Sequence, residues 1–320
     1  MKITVAGCGR WGTFIAWYLD KLNYSVTLYG RETSLRMKEL IANRKNDKLT
    51  LSDSLNLSTD MDNSIQNANL LVISISVQDL RNFLTQIKYN LKNKDIPILL
   101  CMKGIEMETG YTPTQIVKDI LGENQKCAVW IGPGHVEDFV RGIPNCMVID
   151  SENKEFTKFL VESFSSDLIR FYYGTNLLGN EIGAASKNVI GIAAGILDGM
   201  NLSSLKGALM ARGTNEIAKL MGKMGADKSC AYGLCHLGDY EATVFSKFSN
   251  NRKFGESFVK KEKYEKLAEG FYTAKALMNL SEKYSVELPI TKAVYEIIYE
   301  NKDVNCVLES LLKRSLKFEF

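Results

Sequence analysis

The feature of this sequence that most constrains its fold is a glycine-rich turn near the N-terminus. Ile3 to Ala6 is a short β-branched run, and Gly7-Cys8-Gly9-Arg10-Trp11-Gly12 follows it directly, before an amphipathic helical stretch. In a strand–turn–helix of this spacing, the first glycine permits the tight turn and the second lets a pyrophosphate approach the backbone. The third glycine lets helix and strand pack closely. We therefore predict that Gly7, Gly9 and Gly12 bind a dinucleotide cofactor.

The rest of the first half alternates short apolar runs with helical segments. The further apolar runs are 25–29, 70–75, 98–102, 128–131 and 146–149. Between them lie stretches with apolar residues on one helical face, as in Leu80, Phe83, Leu84, Ile87 and Leu91. Strands that are apolar throughout and separated by helices indicate a parallel sheet covered on both faces. This half is predicted to be an α/β, Rossmann-type doubly wound domain.

The second half has a different periodicity. From Asn180 onward the pattern is helical, with almost no strand-like alternation. A chain of 320 residues also suits two domains of ordinary size. We predict a dinucleotide-binding domain over residues 1–178 and an all-α substrate and catalytic domain over residues 179–320.

Charge and cysteine usage exclude several classes of protein. The formal net charge is only +3, and the lysine-rich stretch 260–266 is interleaved with glutamates, so we expect no nucleic-acid partner. Seven cysteines, an odd number, lie mostly in apolar runs and suit reduced thiols. Cys230, Cys235 and His236 lack a second pair of ligands, so we predict no metal site.

The chain also lacks the signals of secretion and of membrane insertion. No stretch approaches the ~20 apolar residues of a membrane helix. The N-terminal sequence MKITVAG has no apolar signal-peptide core and becomes a strand almost at once. We therefore expect a cytoplasmic protein without membrane insertion.

The end of the second predicted strand bears on the choice of cofactor. An acidic residue there would bind the ribose 2′-hydroxyl of NAD, whereas a nearby arginine accommodates the 2′-phosphate of NADP. The sequence reads Tyr29-Gly30-Arg31-Glu32, with glycine at the acidic position and Arg31 beside it. This pattern favours NADP(H) over NAD(H), although Glu32 keeps NAD(H) open.

Several blocks, in order and from end to end, resemble the bacterial-type NAD(P)-dependent glycerol-3-phosphate dehydrogenases. The most specific of them is NEIGAASKNVIGIAAGILDG at 180–199. The others are GCGRWGT at 7–13, KGIE at 103–106, GPGHVE at 132–137, ARG at 211–213, 233–239, 249–255, EG at 269–270 and TA at 273–274.

This resemblance implies reversible, NAD(P)H-dependent reduction of dihydroxyacetone phosphate to sn-glycerol 3-phosphate for glycerophospholipid synthesis. It implies that Lys187 is the proton donor and acceptor and that Asp239 is a further catalytic, substrate-site residue. The implied substrate contacts are Lys103, Gly132, Gly134, Asp239, Ser249, Asn250 and Asn251. The implied cofactor contacts, besides the three glycines, are Arg10, Trp11, Arg31, Lys103, Val136, Asn250, Leu267 and Glu269.

Lys187 is also unusual without the resemblance. It lies in a helical stretch that is apolar on nearly all sides and should be buried, where lysine is almost never found unless paired. Ketone reduction requires an oriented hydride source, stabilisation of the developing alkoxide, and a proton. An ammonium group supplies the last two. Burial or Lys103 would favour the neutral amine and Asp239 the charged form, and the sequence leaves this balance open.

The sequence departs from the family pattern at a few positions. Asn250 stands where an arginine is usual, unless Arg252 replaces it, and Gly134 stands where a hydroxyl residue is usual. Tyr240 replaces a common leucine, and His236 replaces a small residue. We expect His236, like His135, to pack rather than to catalyse.

These departures leave two alternatives open. One is a related two-domain dehydrogenase that acts on another small ketone or 2-oxo acid. The other is a non-catalytic NADPH-binding sensor, although such a sensor would need none of Lys187, Asp239 and Lys103. A homodimer is the expected assembly, because the helical half should offer an exposed surface.

Overall fold

The computed structural model describes residues 1–92, 95–316 and 318. The chain divides into two compact units. The N-terminal unit comprises Met1–Lys103 and Tyr111–Glu181, and the C-terminal unit comprises Gly104–Gly110 and the chain from Ile182 onward. The domain boundary between 178 and 179 stays a prediction; it falls within one long helix, Leu177–Gly199.

The N-terminal unit contains an eight-stranded sheet with flanking helices, which confirms the predicted α/β Rossmann-type fold. The strands are β1 Lys2–Ala6, β2 Ser25–Tyr29, β3 Asn56–Ser58, β4 Leu70–Ile73, β5 Ile98–Leu100, β6 Cys127–Ile131, β7 Asn145–Asp150 and β8 Ile169–Tyr173. Their order is β3-β2-β1-β4-β5-β6-β7-β8. The order reverses between β1 and β4, and ligands of such sheets bind beyond the carboxyl ends of the strands at this switch point.

Two details of the sheet differ from the expectation of a parallel sheet. Strand β7 pairs antiparallel with β6, and β8 pairs parallel with β7. The connection from β6 to β7 covers only residues 132–144, little more than the shortest parallel crossover. The sequence analysis also missed β3 and β8, because β3 is short and polar and β8 leaves alternate side chains exposed.

The helices of the N-terminal unit cover the sheet and bury an aromatic core. They are α1 Arg10–Lys21, α2 Leu35–Asn43, α3 Met61–Gln66, α4 Val77–Lys92, α5 Pro113–Leu121, α6 Val136–Val140 and α7 Lys154–Phe164. Phe14 of α1 stacks on Phe139 of α6 with ring centroids 5.0 Å apart. Trp130 of β6 meets Phe171 of β8 edge to face at 4.8 Å. Tyr18 of α1 also meets Trp130 edge to face at 5.7 Å, which fixes α1, and with it the glycine turn, against the sheet.

The described part of the C-terminal unit is helical, as predicted. Its helices are α8 Leu177–Gly199, which begins in the N-terminal unit, α9 Lys206–Lys223, α10 Asn250–Val259, α11 Glu269–Lys283, α12 Pro289–Glu300 and α13 Val304–Leu312. A 3-10 turn at Leu237–Asp239 leads into a π-helical turn at Glu241–Phe245. Glycines bring neighbours onto α8: a Cβ at Gly195 would lie 1.9 Å from the carbonyl oxygen of Arg252.

Two buried glutamates cap helix N-termini. Glu181 accepts hydrogen bonds from Thr112 Oγ1 and from the Thr114 amide, each at 2.9 Å, at the start of α5. Glu216 accepts from the amides of Ile290 and Thr291 at 2.8 and 2.9 Å at the start of α12. Burial raises the pKa of each carboxyl to about 7.

No helix in the described ranges is long and apolar enough to cross a membrane.

Candidate functional site

The glycine turn has a backbone that only glycine tolerates at its key positions. Gly7 has φ of +117°, and a Cβ there would lie 2.3 Å from the carbonyl oxygen of Ser74, at the end of β4. A Cβ at Gly12 would lie 1.9 Å from the carbonyl oxygen of Gly7. The first and third glycines are therefore required for the turn and for helix–strand packing.

The second glycine leaves open space at the start of α1. A Cβ built on Gly9 meets one described atom within 4 Å, Arg36 Nη1 at 3.8 Å. Gly9 is the N-cap of α1, and no described side chain caps this helix end or places a carboxylate in its first turn. Backbone N–H groups at such an end attract phosphate. The turn thus fits the pyrophosphate of a dinucleotide.

Arg10 and Trp11 flank this space. Arg10 forms an ion pair with Glu137, which also lies 3.6 Å from Lys48 Nζ. Trp11 stacks on Phe14 with ring centroids 5.1 Å apart. Both predicted cofactor contacts are therefore held in place by neighbours within the N-terminal unit.

At the end of β2, glycine stands where an acidic side chain would bind the ribose of NAD. A Cβ at Gly30 would lie 2.7 Å from Cys8 Sγ and 2.9 Å from Met37 Sδ. Arg31 and Glu32 are exposed. Arg36, in the first turn of α2, is a cationic neighbour of Gly9 that the sequence analysis missed. The position of Arg36 in the sequence, a few residues after the end of β2, was the signal that could have predicted this contact.

The predicted contacts of the KGIE and GPGHVE blocks lie together in the N-terminal unit. Lys103 donates to the carbonyl oxygen of Gly132, and Val136 is buried at the start of α6. Gly134 has φ of +152°, and a Cβ there would lie 2.4 Å from the ring of Phe139. A side chain at position 134 would therefore displace this ring.

Lys187 and Asp239 are brought together in the C-terminal unit. Lys187 Nζ lies 3.3 Å from Asp239 Oδ2 and donates to Thr243 Oγ1 over 2.7 Å. Thr243 in turn donates to the carbonyl oxygen of Asp239 over 2.7 Å. Lys187 is 8% exposed and Asp239 is 0% exposed, so the ammonium group is paired as a buried lysine must be.

Thr243 is a residue that the sequence analysis missed. It lies in the π-helical turn Glu241–Phe245, a rare conformation that often occurs at functional sites. The wider turn lets its hydroxyl bridge the Lys187 ammonium and the backbone of Asp239. Its spacing of four residues after Asp239 was the available signal.

The structure places residues 249–252 at a helix N-terminus. Ser249 is the N-cap of α10 and accepts from the Arg252 amide over 3.2 Å, so the first helical residue is Asn250. Asn251 donates to Asn188 Oδ1 over 3.0 Å and accepts from the Gly270 amide over 2.9 Å. The N-cap signal of Ser249 before a helical pattern had been overlooked.

Arg252 is engaged elsewhere. Its Nη1 atom lies 2.6 Å from Asp198 Oδ2 and 3.2 Å from Glu256 Oε2, and its Nε donates to the carbonyl oxygen of Ser246 over 3.1 Å. Because this network holds the guanidinium, we expect that Arg252 does not supply the charge missing at Asn250.

The remaining predicted cofactor contacts lie near the start of α11. Leu267 is 51% exposed, and Glu269 is the first residue of the helix, next to the amide that Asn251 binds. Among the described residues, no group of three or more His, Cys, Asp or Glu side chains is placed to hold a metal ion.

Two family models match most of the chain. The model for the N-terminus of NAD-dependent glycerol-3-phosphate dehydrogenase matches residues 2–157. The model for the C-terminus of the same enzymes matches residues 176–309.

Individual relatives are similar over their full length. Glycerol-3-phosphate dehydrogenase [NAD(P)+] of Fusobacterium nucleatum is 33% identical over 332 residues, with 100% of this chain and 98% of the relative covered. The enzyme of the same name from a Thermoanaerobacter species is 32% identical, with 100% and 99% covered. The crystal structure of glycerol-3-phosphate dehydrogenase from Coxiella burnetii superposes with a TM-score of 0.90 at 27% identity, covering 98% of this chain and 99% of that one.

Proposed function

The chain belongs to the NAD-dependent glycerol-3-phosphate dehydrogenase family, and on that premise we propose that Lys187 exchanges the proton in its reaction. The chain is an oxidoreductase that catalyses the NAD(P)H-dependent, reversible reduction of dihydroxyacetone phosphate to sn-glycerol 3-phosphate, a precursor of glycerophospholipids. The observation that carries the role of Lys187 is its buried ion pair with Asp239, 3.3 Å long.

The chemistry assigns a separate task to each side chain. Bound NAD(P)H supplies the hydride that reduces the carbonyl carbon. The Lys187 ammonium stabilises the negative charge that develops on the substrate oxygen and then donates a proton to it. In the reverse direction the neutral amine accepts the proton of the hydroxyl. Asp239 and Thr243 orient Nζ by direct contacts of 3.3 and 2.7 Å.

We propose that the substrate is also bound by Lys103, Gly132, Gly134, Ser249, Asn250 and Asn251. The start of α10 supports this role for the last three, because a helix N-terminus carries a partial positive charge that favours phosphate. Asn251 is further ordered by its two hydrogen bonds to Asn188 and Gly270.

We propose that the dinucleotide is bound by the glycine turn together with Arg10, Trp11, Arg31, Lys103, Val136, Asn250, Leu267 and Glu269. The preference proposed is for NADP(H). Glycine stands at the end of β2, where an acidic residue would bind the ribose of NAD, and Arg31 and Arg36 offer positive charge nearby. Fluorescence titration with NADPH and NADH tests this preference. Tighter binding of NADH would refute it.

We propose that the chain works in the cytoplasm as a homodimer. The described cysteines are free thiols, which suits a reducing compartment. Large apolar side chains such as Phe245 and Leu312 are exposed on the C-terminal unit and offer surface for a second copy. Light scattering of the purified chain measures the assembly, and a monomer at micromolar concentration would contradict it.

The decisive assay follows NADPH and NADH oxidation with dihydroxyacetone phosphate, dihydroxyacetone and a panel of 2-oxo acids. Turnover with the phosphorylated ketone alone is the expected result. Turnover with a 2-oxo acid or with unphosphorylated dihydroxyacetone would indicate the related dehydrogenase instead. Tight NADPH binding without any turnover would indicate the sensor.

A further inference from the structure

His236 and Tyr240 are hydrogen-bonded partners in the C-terminal unit. Both side chains are fully buried. The Nε2 atom of His236 lies 2.7 Å from the Tyr240 hydroxyl, and the two rings meet edge to face with centroids 4.9 Å apart. The two side chains therefore form one buried polar pair.

The hydrogen bonds define the protonation state of the imidazole. His236 Nδ1 lies 2.9 Å from the carbonyl oxygen of Gly183, which can only accept, so Nδ1 carries a hydrogen. In a neutral ring Nε2 is then the acceptor, and the Tyr240 hydroxyl donates to it. Burial lowers the pKa of His236 to about 4, in agreement with a neutral ring.

The pair lies at the backbone that supports the Lys187–Asp239 ion pair. Gly183 is one helical turn before Lys187 on α8, and in an α-helix its carbonyl also accepts the amide of Lys187. His236 begins the turn that carries Asp239, whose amide donates to the His236 carbonyl over 3.0 Å. His236 therefore joins the supports of both charges, through its side chain at Gly183 and through its backbone carbonyl at Asp239.

Tyr240 fixes the other end of the same segment. Its hydroxyl lies 3.5 Å from Thr214 Oγ1 of α9, which donates to the carbonyl oxygen of Met210 over 2.8 Å. The Tyr240 carbonyl accepts the amides of Thr243 and Val244 at 3.1 and 2.6 Å. The backbone of Tyr240 thus begins the π-helical turn that places the Thr243 hydroxyl on Lys187, and its side chain packs against α9.

The charge state of the pair bears directly on Lys187. The ionisable groups that act on the two rings are Lys187 from α8, Asp239 from the same turn and Glu216 from α9. A protonated His236 would repel Lys187 and compete with it for Asp239. A neutral ring avoids both effects while keeping its hydrogen bonds.

We propose that His236 and Tyr240 are positioning residues: a neutral Nδ1–H imidazole and its hydroxyl donor hold Asp239 and Thr243 at the spacing from α8 that the contacts with Lys187 require. This role rests on the function proposed for Lys187, since it is measured through the reaction that Lys187 serves.

The first test determines the tautomer of His236 and needs no measurement of enzyme activity. The chain has two histidines, so protein labelled with ¹⁵N-histidine shows two rings, and His135→Gln assigns them. The expected spectrum for His236 has a protonated Nδ1 and an unprotonated Nε2, unchanged from about pH 5.5 to about pH 8. An Nε2–H tautomer, or a ring that titrates with an ordinary pKa near 6.5, would overturn the proposal.

The second test removes the hydroxyl and keeps the ring. Tyr240→Phe is expected to lower kcat about tenfold, equivalent to ~1.4 kcal/mol, with KM for dihydroxyacetone phosphate changed less than about twofold. The pH profile of kcat should shift, since the surroundings of Lys187 change. The matched control is Tyr232→Phe, an exposed tyrosine of the same unit, which should behave as the wild type.

Histidine variants separate positioning from bulk packing. His236→Asn keeps a side-chain N–H donor for Gly183, so it should retain several-fold more activity than His236→Ala. Equal losses in the two variants, with an unchanged pH profile and a lower Tm, would indicate a purely structural role and refute positioning. If Tyr240→Phe fails to fold, as judged by near-ultraviolet circular dichroism, the tautomer and the Asn variant still decide the question.

Failure of the two proposals is distinguishable. A wild-type chain that does not reduce dihydroxyacetone phosphate would refute the proposed function. A wild-type chain with full turnover, together with a Tyr240→Phe variant of unchanged kcat and pH profile, would refute the positioning role alone.

Discussion

The two candidate sites of this chain are built from different parts of the polypeptide. In the N-terminal unit, the cofactor turn consists mainly of backbone: three glycines and an uncapped helix end within a few residues of one another. In the C-terminal unit, Lys187, Asp239 and Thr243 are side chains from α8 and from a segment more than 50 residues later. The first site depends on the absence of side chains, and the second depends on the exact contacts of a few.

This difference predicts that the two sites fail in different ways when they are mutated. A change in the turn should weaken binding of the dinucleotide, since the turn has no reacting group. A change at Lys187 should stop the chemistry and leave dinucleotide binding intact.

The largest effect is expected for Lys187→Ala. Loss of the proton donor should reduce kcat by about 10²–10⁴-fold, the usual contribution of general acid–base catalysis. The dissociation constant of NADPH should stay within about twofold of the wild type, because the glycine turn is unchanged. Steady-state kinetics and fluorescence titration measure the two quantities. The matched control is Lys219→Ala, an exposed lysine on α9, and retention of full activity by Lys187→Ala would disprove the mechanism.

Gly12→Ala tests the cofactor turn of the N-terminal unit. A Cβ there would lie 1.9 Å from the carbonyl oxygen of Gly7, so the turn must shift. We expect NADPH to bind about 100-fold more weakly, as a strain of ~3 kcal/mol implies. Gly207→Ala, whose Cβ meets no described atom within 4 Å, is the control and should bind NADPH normally. Unchanged affinity in Gly12→Ala would show that the turn does not approach the cofactor.

The next prediction concerns the helix N-termini, which differ in what occupies them, and it is tested through the pH dependence of folding stability. The start of α1 is left open for a ligand, whereas Glu181 and Glu216 fill the starts of α5 and α12, and burial raises the pKa of each to about 7. Their folded pKa exceeds the unfolded value near 4.5, so folding favours the protonated form. The stability they contribute is full below about pH 4.5 and decreases as pH rises toward 7, by about 1–3 kcal/mol each.

Urea unfolding at several values between about pH 4.5 and about pH 7.5 measures this dependence. Glu181→Gln and Glu216→Gln remove the titrating groups, so each variant should show a smaller decrease than the wild type. Glu282→Gln, at an exposed position, should keep the wild-type slope. A wild-type stability that rises over this range would contradict the assignment of raised pKa values to these two carboxyls.

The smallest effect is expected for Asn250→Arg. This change restores the charge that is usual in the family at the start of α10, while Arg252 stays bound to Asp198. We expect a several-fold lower KM for dihydroxyacetone phosphate or for NADPH, the size of one partly exposed charge-assisted hydrogen bond. Asn305→Arg, exposed on α13, is the control for added charge. No change in either KM would mean that another group already serves the phosphate.

Much of the fold could be predicted from local patterns. The apolar runs and the helical periodicity predicted the α/β and all-α halves, because burial on both faces of a sheet leaves an unmistakable composition. The antiparallel direction of β7 and the short β3 escaped prediction. Strand direction depends on how a connection packs, and a three-residue polar strand has no periodicity to detect.

The candidate sites divide in the same way. The glycine turn, Lys187 and Asp239 were predicted from the residues and from the family resemblance, and their roles stay predictions until they are tested. Thr243, Arg36 and the His236–Tyr240 contact were missed. Thr243 depends on a π-helical turn, Arg36 on a side chain that lies near Gly9, and His236 with Tyr240 on a buried hydrogen bond. The spacing of residues along the chain predicts none of these features.

By itself, the sequence determined the class of fold and the family and predicted the place of the cofactor turn, because these depend on short-range backbone constraints and on the order of blocks along the chain. Only the tertiary structure decided that Lys187 meets Asp239 and Thr243, that Arg252 is paired with Asp198, and that the Phe139 ring fills the space beside Gly134. The physical reason is that contacts between distant residues, and the burial that sets the charge states of those residues, arise only when helices pack.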